Sequence, residues 1–396
     1  MKKDWEFKTL GEVCDVINGG TPKTGIPEYW DGNRRWITPA EMGKRTSPYV
    51  SDTGRKITDL GLRDSSAQML PPNSVILSSR APIGYLVINT EPMATNQGCK
   101  GLIPRKEIEH KFVYYYLSSI VDLLNSLGTG ATFKELSGGK LKEITLPVPS
   151  LAEQQRIVGL LDEAFEGIAT AKANAEKNLQ NARGIFESHL QSVFTQRGPG
   201  WVEKHLKEVC EKITDGTHQT PKYFDEGIVF LSSRNVTSGT IDWDRIKYID
   251  TKQHLEMHKR VAPRRNDILL AKNGTTGVAA IVDRDTTFDI YVSLALLRAL
   301  PVMRPRFLLH FINSPAAKGQ FNKRLKGIGV PNLHLEEIRE VRLSFPADLM
   351  AQDRVVDELD NLREQTQRLA RLYERKIVAL EALKKSLLHQ AFSGEL

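Results

Sequence analysis

The sequence predicts an α+β protein with an internal pseudo-two-fold repeat, in which two globular mixed α/β domains are separated by two long antiparallel coiled-coil helices. Three observations predict this fold class. The second half of the chain repeats the first, each repeat opens with short strand-like runs, and each repeat ends in an apolar stripe of helical period. The predicted domains are residues 1–150 and 198–348, and the predicted helices are residues 151–197 and 349–396.

The repeat becomes visible when the chain is shifted by about half its length. Matching segments then occur in the same order along both halves, with a register that drifts by only a few residues, so the chain is two copies of one unit. The matched pairs are residues 10–14 (LGEVC) with 206–210 (LKEVC), 20–21 with 216–217 (GT in both), 73–77 (NSVIL) with 266–270 (NDILL), 128–130 (GTG) with 327–329 (GIG), 141–146 (LKEITL) with 338–343 (IREVRL), 151–158 (LAEQQRIV) with 349–356 (LMAQDRVV), and 190–194 (LQSVF) with 388–392 (LHQAF).

The globular parts have the pattern of short strands separated by turn residues. Residues 36–38, 74–78 and 278–282 are strand-like runs, and helices are predicted near residues 109–126 and 304–325. Because the chain has 396 residues and domains usually contain roughly 100–200, each globular part is large enough for its own core.

The two helical segments carry apolar residues at alternating spacings of three and four, which is the pattern of a coiled-coil seam. The first stripe is Ile157, Leu161, Ala164, Ile168, Ala171, Ala175, Leu179, Ala182, Phe186, Leu190 and Val193. The second stripe is Val355, Leu359, Leu362, Leu369, Tyr373, Ile377, Leu380, Leu383 and Leu387. Two stripes of equal length should bury each other as an antiparallel pair. The alternative is that each helix packs on its own domain or on another copy of the chain.

The composition is that of a protein without a membrane segment. No run approaches the roughly 20 apolar residues of a membrane helix, and the N-terminus lacks a signal peptide, so we expect a cytoplasmic protein. Cys14, Cys99 and Cys210 are isolated and are expected to be buried small apolar residues. The net charge is +7, and the positive excess lies in the globular parts, whereas the two helical segments are near neutral. Residues 1–150 contain 19 lysines and arginines against 16 aspartates and glutamates, and residues 198–348 contain 23 against 18. This excess is compatible with phosphate contacts.

Motifs of catalysis are not found in the sequence. Residues 139–141 (GKL) fail as a phosphate-binding loop, and residues 70–73 (LPPN) lack the flanking residues of an adenine methyltransferase motif. Residues 250–252 (DTK) and 374–376 (ERK) match only the short half of a nuclease motif.

Histidines offer one further candidate site. His254 and His258 have the i, i+4 spacing that holds a metal on one helical face, but we expect exposed polar side chains there, since the glutamate between them is misplaced for a zinc protease. His218 lies in a turn and suits a DNA contact better than catalysis.

The boundaries between the segments resemble those of the specificity subunit of type I restriction–modification systems. Residues 146–157 (LPVPSLAEQQRI) and 387–396 (LLHQAFSGEL) are similar to that family's domain boundary and usual ending, and the openings at 5–13 and 201–209 are similar to its domain starts. The second boundary, residues 343–353 (LSFPADLMAQD), keeps only part of the pattern. The resemblance covers essentially the whole chain.

The resemblance implies a protein that recognises DNA without doing chemistry itself. Each globular part would be a target recognition domain that reads one half of a bipartite site in double-stranded DNA, and the helices would act as a ruler between the halves. The helices would also dock two methyltransferase subunits, through which restriction subunits join the complex. No cofactor is expected in this chain, whereas S-adenosylmethionine, ATP and Mg²⁺ are expected in the partner subunits. We expect no metal site and no membrane partner.

Candidate DNA-binding residues are basic or amide side chains in loops, next to small residues that allow close backbone approach. In the first domain they are Lys23, Arg34, Arg35, Lys44, Arg45, Arg80 and Lys134. In the second domain they are His218, Lys222, Arg234, Asn235, Lys272, Asn273, Lys323 and Arg324. Arg80 and Asn273 occupy corresponding places after equivalent strands.

Two other classes of protein remain open. A standalone DNA-binding regulator with two reading heads would need only one apolar seam on its helices, whereas a second exposed apolar stripe favours subunit docking. A coiled-coil scaffold that binds protein would show no salt-dependent affinity for DNA.

Overall fold

The computed structural model describes residues 5–130, 134–195, 198–236, 239–274, 276–325 and 332–396. The chain divides into two compact units, the first made of Met1–Ala175 and Arg375–Leu396 and the second of Glu176–Glu374. Each unit therefore combines one globular part with a segment of each long helix. Residues 327–329, which the repeat aligns with the 128–130 loop, lie outside the described residues.

Short strands and helices alternate in the first globular part. Its strands are β1 (Glu6–Thr9), β2 (Cys14–Asn18), β3 (Trp30–Ile37), β4 (Tyr49–Val50), β5 (Lys56–Ile57), β6 (Met69–Leu70), β7 (Val75–Ser79), β8 (Ile83–Asn89), β9 (Met93–Thr95), β10 (Cys99–Pro104) and β11 (Thr145–Val148). Its helices are α1 (Leu10–Val13), α2 (Pro39–Met42), α3 (Asp59–Arg63), α4 (His110–Ser119), α5 (Val121–Leu127) and α6 (Gly138–Glu143). The long helix α7 (Leu151–Thr195) follows.

In the described residues, the second globular part has a similar order of elements, with two strands and one helix fewer. Its strands are β12 (Trp201–His205), β13 (Cys210–Asp215), β14 (Ile228–Leu231), β15 (Lys247–Ile249), β16 (Ile268–Ala271), β17 (Ala279–Ile281), β18 (Phe288–Ile290), β19 (Leu294–Ala299) and β20 (Arg342–Pro346). Its helices are α8 (Leu206–Val209), α9 (Thr251–Arg260), α10 (Pro305–Asn313), α11 (Pro315–Asn322) and α12 (Leu335–Arg339). The long helix α13 (Leu349–Ser393) ends the chain.

The sheets confirm the predicted fold class and its internal repeat. In the first unit the sheets have the orders β2-β10-β7-β8-β4 and β5-β3-β9-β6, and β1 pairs with β11. In the second unit the orders are β13-β19-β16-β17 and β15-β14-β18, and β12 pairs with β20. The parallel pair of β3 with β9 is matched by the parallel pair of β14 with β18.

Each core forms where the most apolar strand meets the helices that follow the sheet. Every residue of β7 and of β16 is buried, and both strands follow an asparagine, Asn73 or Asn266, whose φ lies in the left-handed region. In the first unit Phe112 of α4 packs edge-on against Phe392, which lies near the end of α13. The predicted helices near 109–126 and 304–325 are present, and each is divided in two.

The structure corrects the alignment of the first glycine loop by one residue. Gly20 N donates to Thr95 O at the end of β9, and Thr217 N donates to Ile290 O at the end of β18, so Gly19 and not Gly20 corresponds to Gly216. A Cβ at Gly19 or Gly216 would lie 2.0 or 1.8 Å from a backbone carbonyl oxygen, which explains the glycine in both copies.

The long helices begin at Leu151 and Leu349, and both contain 45 residues. In the first unit Lys172 pairs with Glu381 and Arg156 donates to Leu396 O, so the two helix segments run antiparallel. In the second unit His189 meets Glu358 and Arg183 meets Glu374, which is again an antiparallel arrangement.

The apolar seam of α7 is confirmed, whereas that of α13 departs from prediction at two positions. Every predicted seam residue of α7 is buried or half-buried. On α13, Leu369 and Leu383 are exposed, and Thr366 is buried instead. The threonine can occupy the seam because its hydroxyl donates to Leu362 O within the helix, which leaves no donor unpaired.

Each long helix is also fastened to the domain that precedes it, by two polar side chains eight residues apart. Gln154 and Gln352 are fully buried, and each accepts one backbone N–H and donates to two backbone carbonyls. The second group is a carboxylate: Asp162 binds Lys111 and Tyr115 of α4, and Asp360 binds Arg306 and His310 of α10. These contacts fix the direction in which each helix leaves its domain. The alternative that each helix packs on its own domain therefore holds alongside the helix pair.

Cys14, Cys99 and Cys210 are buried free thiols, as expected. Burial raises the pKa of each to about 12. Among the described residues, no helix is both long and apolar enough to cross a membrane.

Candidate nucleic-acid interface

The loop that follows β13 brings several predicted residues of the second unit to one cleft, which we call the Asp215 cleft. Its volume is about 490 Å³. It is lined by Asp215, His218, Arg260, Lys272, Asn273, Val292, Asn332, His334, Leu335, Glu336 and Arg339. Three predicted DNA-binding residues, His218, Lys272 and Asn273, thus lie together.

A buried carboxylate organises the basic side chains of this cleft. Asp215 accepts from Arg260 Nη2 at 2.6 Å, lies 3.3 Å from His218 Nε2, and pairs with Lys272 Nζ at 3.3 Å. Burial by itself raises the pKa of Asp215, but the hydrogen bond from Arg260 and the neighbouring Lys272 and His218 outweigh it, so the pKa lies below its usual value. The carboxylate therefore stays ionised and holds two cations at the surface of the cleft.

Two amide oxygens in the Asp215 cleft have no partner in the part of the chain that the structure describes. They are Asn273 Oδ1 and Asn332 Oδ1, both buried. Because buried polar atoms are nearly always hydrogen-bonded, these two acceptors are available to an incoming ligand or to water. Asparagine is also a residue type that reads adenine edges through paired hydrogen bonds.

A second cleft, which we call the Arg234 cleft, lies in the same unit and has a volume of about 380 Å³. It is lined by Thr220, Tyr223, Phe230, Ser232, Ser233, Arg234, Asn235, Arg245, Lys247, Tyr291 and Ser293. Among the described residues, the lining contains three cations and no carboxylate, and Lys247 Nζ lies 3.9 Å from the centre of the Tyr223 ring. Basic, hydroxyl and aromatic side chains together suit phosphate and base contacts.

Four further predicted residues of this unit differ in burial and in hydrogen bonding. Asn235 is buried, its Oδ1 accepts from Ser232 N, and its Nδ2 donates to Asp242 O and Arg245 O. Both amide hydrogens are therefore committed to the loop, although Asn235 also lines the Arg234 cleft. Lys222 is exposed on the loop after β13, whereas Lys323 and Arg324 lie at the end of α11 and line neither cleft.

In the first unit the seven predicted residues form two groups and three separate positions. Arg80 pairs with Glu135, the neighbour of Lys134 in the chain, with 3.6 Å between charged atoms. Arg35 and Arg45 both contact Asp52. Arg35 lies 3.4 Å from its carboxylate, and Arg45 donates to its backbone oxygen at 2.7 Å. Of the remaining three, Arg34 pairs with Asp59 at 2.6 Å, and Lys23 and Lys44 are exposed.

The predicted correspondence of Arg80 and Asn273 is confirmed by the backbone. Arg80 forms an isolated antiparallel bridge with Glu135, and Asn273 forms the same bridge with Asn332. The first unit thus has an arginine and a glutamate where the second unit has two asparagines. Equivalent positions carry different hydrogen-bonding groups.

Sequence reasoning missed several residues that line the clefts: Arg260, Asn332, His334 and Arg339 in the Asp215 cleft, and Tyr223, Arg245 and Lys247 in the Arg234 cleft. The repeat held a signal for one of them. Residues 141–146 match residues 338–343 with an offset of 197, and the same offset places Asn332 opposite Glu135, the residue after the predicted Lys134.

The expectation of exposed polar histidines on α9 is wrong. His254 Nδ1 lies 2.7 Å from Asp289 Oδ2, and His258 Nδ1 lies 2.9 Å from Asp289 Oδ1. The Asp289 side chain, on β18, is only 1% exposed. The spacing of the histidines could not predict this contact, because Asp289 lies 31 residues beyond His258 in the chain.

A family model described as "Type I restriction modification DNA specificity domain" matches the chain twice, at residues 2–180 and 199–375. The chain is 31% identical over 261 residues to the type I restriction enzyme MjaIX specificity subunit of Methanocaldococcus jannaschii, covering 60% of each protein. It is 34% identical over 165 residues to the EcoR124I/EcoR124II specificity subunit of Escherichia coli, of which it covers 40%. The chain thus spans less than two thirds of these two relatives. Another Methanocaldococcus jannaschii relative, the MjaVIII specificity subunit, is 20% identical and matched over 94% of its length.

Two solved structures share the fold over the whole chain. One, from work described as "Structural basis underlying complex assembly and conformational transition of the type I R-M system", has a TM-score of 0.81 at 19% identity and covers 100% of this chain and 99% of its own. The other, an HsdS subunit from Thermoanaerobacter tengcongensis, has a TM-score of 0.66 at 19% identity, with coverage of 100% and 98%.

Proposed function

The chain belongs to the family of type I restriction modification DNA specificity domains, and from this premise we propose that it reads a split DNA site for a type I restriction–modification complex. Each globular domain binds one half of the site in double-stranded DNA. The chain supplies sequence recognition, and its partner subunits supply methylation and restriction. It acts in the cytoplasm, where the DNA is.

The observation that carries this proposal is the duplication of one fold with different polar side chains at equivalent places. The family model matches both copies. Arg80 and Glu135 in the first copy stand where the second has Asn273 and Asn332. Because arginine pairs best with guanine and asparagine with adenine, two such domains read different half-sites. Because both readers belong to one chain, the effective concentration of the second contact rises once the first has formed.

Exposed apolar side chains on the long helices support the docking of methyltransferase subunits. In the first unit Leu160, Val378 and Leu383 are 42–66% exposed, and in the second unit Ile185, Leu369 and Leu372 are 40–50% exposed. These residues lie outside the buried seam. A standalone regulator has no need of such surfaces, whereas a subunit that docks partners does.

Selection of binding sites from a random DNA library tests the proposal. The full chain, co-purified with its methyltransferase partner, should enrich one motif with two dissimilar halves at a fixed gap. Binding should weaken steeply with salt, as phosphate contacts require. Enrichment of one contiguous motif would support the regulator instead, and an absence of salt-dependent binding would support the scaffold.

One charge substitution tests whether the Arg234 cleft belongs to the interface. In Arg234→Ala, the slope of log affinity against log salt should become shallower by about one, because one phosphate contact is lost. The matched control is Arg371→Ala, which removes an equally charged, exposed side chain from α13. Equal salt slopes for the two variants would remove the Arg234 cleft from the interface and leave the bipartite proposal to the selection experiment.

A further inference from the structure

Helix α9 is held to its domain almost entirely by polar contacts. It contains no buried residue, and Leu255 in its middle is 59% exposed. A surface helix normally attaches through an apolar stripe. On α9 the side chains that face the domain, in place of an apolar stripe, are Gln253, His254, Met257 and His258, which are half-buried.

Both ends of α9 fasten loops that border the clefts. Gln253 binds the backbone of Lys222 twice, accepting from its N–H at 2.9 Å and donating to its carbonyl at 3.0 Å. Arg260 donates to the backbone oxygen and the carboxylate of Asp215. The position of α9 therefore determines where the loop after β13 lies.

Between these two ends, both histidines converge on a single buried carboxylate. Their side chains are 14% and 32% exposed, and their rings lie 4.6 Å apart. Each Nδ1 faces a different oxygen of Asp289, at 2.7 and 2.9 Å. Within the described ranges, His254, His258 and Asp289 form the one cluster of three or more histidine, cysteine or acidic side chains whose ligand atoms all lie within 4.8 Å of one another.

We propose that His254, His258 and Asp289 bind a divalent transition-metal ion, for which Zn²⁺ is the best match. Two imidazoles and one carboxylate are a donor set that zinc accepts, whereas Mg²⁺ and Ca²⁺ prefer oxygen donors alone. The partial exposure of His258 leaves a fourth position open to water.

The geometry needs only small movements to accept the ion. Bonds of about 2.0–2.2 Å in a tetrahedral site place ligand atoms roughly 3.3 Å apart. The two N···O distances must therefore lengthen by about half an ångström, as the ion replaces the protons that lie between each Nδ1 and the carboxylate. Since the ligands come from α9 and from β18, the ion joins the helix to the sheet directly.

Metal titration of the full chain, first stripped with a chelator, tests this site. Zn²⁺ competition against a chromogenic chelator should give one ion per chain, and Co²⁺ should give the visible absorption of a tetrahedral complex. His254→Gln and His258→Gln should each weaken Zn²⁺ binding by at least about 10–100-fold, the loss that removal of even an outer-shell partner causes. His189→Gln is the matched control, because His189 also faces a carboxylate, Glu358, at 2.9 Å.

Hydrogen exchange gives a readout that does not depend on DNA. Zn²⁺ should slow amide exchange in residues 251–260 of the wild type and of His189→Gln, but not of His254→Gln. Both histidines are partly exposed, so these variants should fold, and their unfolding midpoints without metal check this. Absence of Zn²⁺ binding, or equal binding in His254→Gln and the wild type, would overturn the proposal without touching the proposed DNA function.

Discussion

The two buried glutamines at the starts of the long helices offer a test of how rigidly each helix is joined to its domain. Gln352→Met keeps the length of the side chain and removes its polar atoms. The substitution leaves Arg304 N–H and the carbonyls of Val302 and Pro346 without the partners that now lie 2.8–3.0 Å away.

The expected loss follows from the cost of buried groups without partners. Each such group costs about 1–3 kcal/mol. Val302 and Arg304 lie partly at the surface, so water replaces some of the lost bonds, and we expect the free energy of unfolding of the second unit to fall by about 2–5 kcal/mol. For a unit of this size a loss of about 3 kcal/mol corresponds to a fall in Tm of roughly 6–12 °C.

Denaturant unfolding combined with hydrogen exchange measures this loss in the intact chain. Exchange in residues 300–312 and 349–360 reports on the second unit, and Gln154→Met should produce the equivalent loss in the first unit. Gln367→Met, at an exposed position of α13, is the matched control and should cost less than about 0.5 kcal/mol. If Gln352→Met costs no more than this control, the glutamine does not fasten the helix to its domain.

Three further predictions concern pH, a surface ion pair and the thiols. Burial, reinforced by Arg363 and opposed by Asp360, lowers the pKa of His310 from 6.5 to about 4. Because the unfolded chain then takes up a proton before the folded chain does, the second unit should lose stability as the pH falls from about 6.5 to about 4. An equally steep loss of stability in His310→Gln would contradict this. Lys172→Ala breaks an exposed ion pair with Glu381, and the free energy of unfolding of the chain should change by less than about 1 kcal/mol. A larger loss would show that the ion pair is stronger than an exposed pair should be. Cys14, Cys99 and Cys210 should react with a thiol reagent at pH 8 only after denaturation, because they are buried and the pKa of each is about 12; rapid reaction of the native chain would show that a thiol is accessible.

The architecture was predictable because it depends on repeated, short-range patterns. The helix starts at Leu151 and Leu349 follow from the change of period at each boundary, and the α7 seam follows from its regular spacing. The α13 seam was less predictable, since counting apolar residues favours Leu369 over Thr366. A threonine that satisfies its hydroxyl within the helix can take a buried position that composition alone assigns to leucine.

The details of the candidate interface depend on contacts between distant parts of the chain, which local patterns do not encode. Asn235 has the residue type and loop position of a base reader, but its amide is consumed by Asp242 O and Arg245 O. Arg260, the last residue of α9, reaches the Asp215 cleft although it lies 45 residues beyond Asp215 in the chain. Asp289, likewise, can be linked to His254 and His258 only once β18 and α9 are placed side by side.

We propose that this chain determines where its partner methylates DNA. Genome-wide mapping of N6-methyladenine, in cells with the gene intact and in cells with it deleted, measures this directly. Deletion should remove methylation at one split motif with two dissimilar halves and a fixed gap. An unchanged methylation pattern, with the methyltransferase partner shown to be expressed and active, would contradict it.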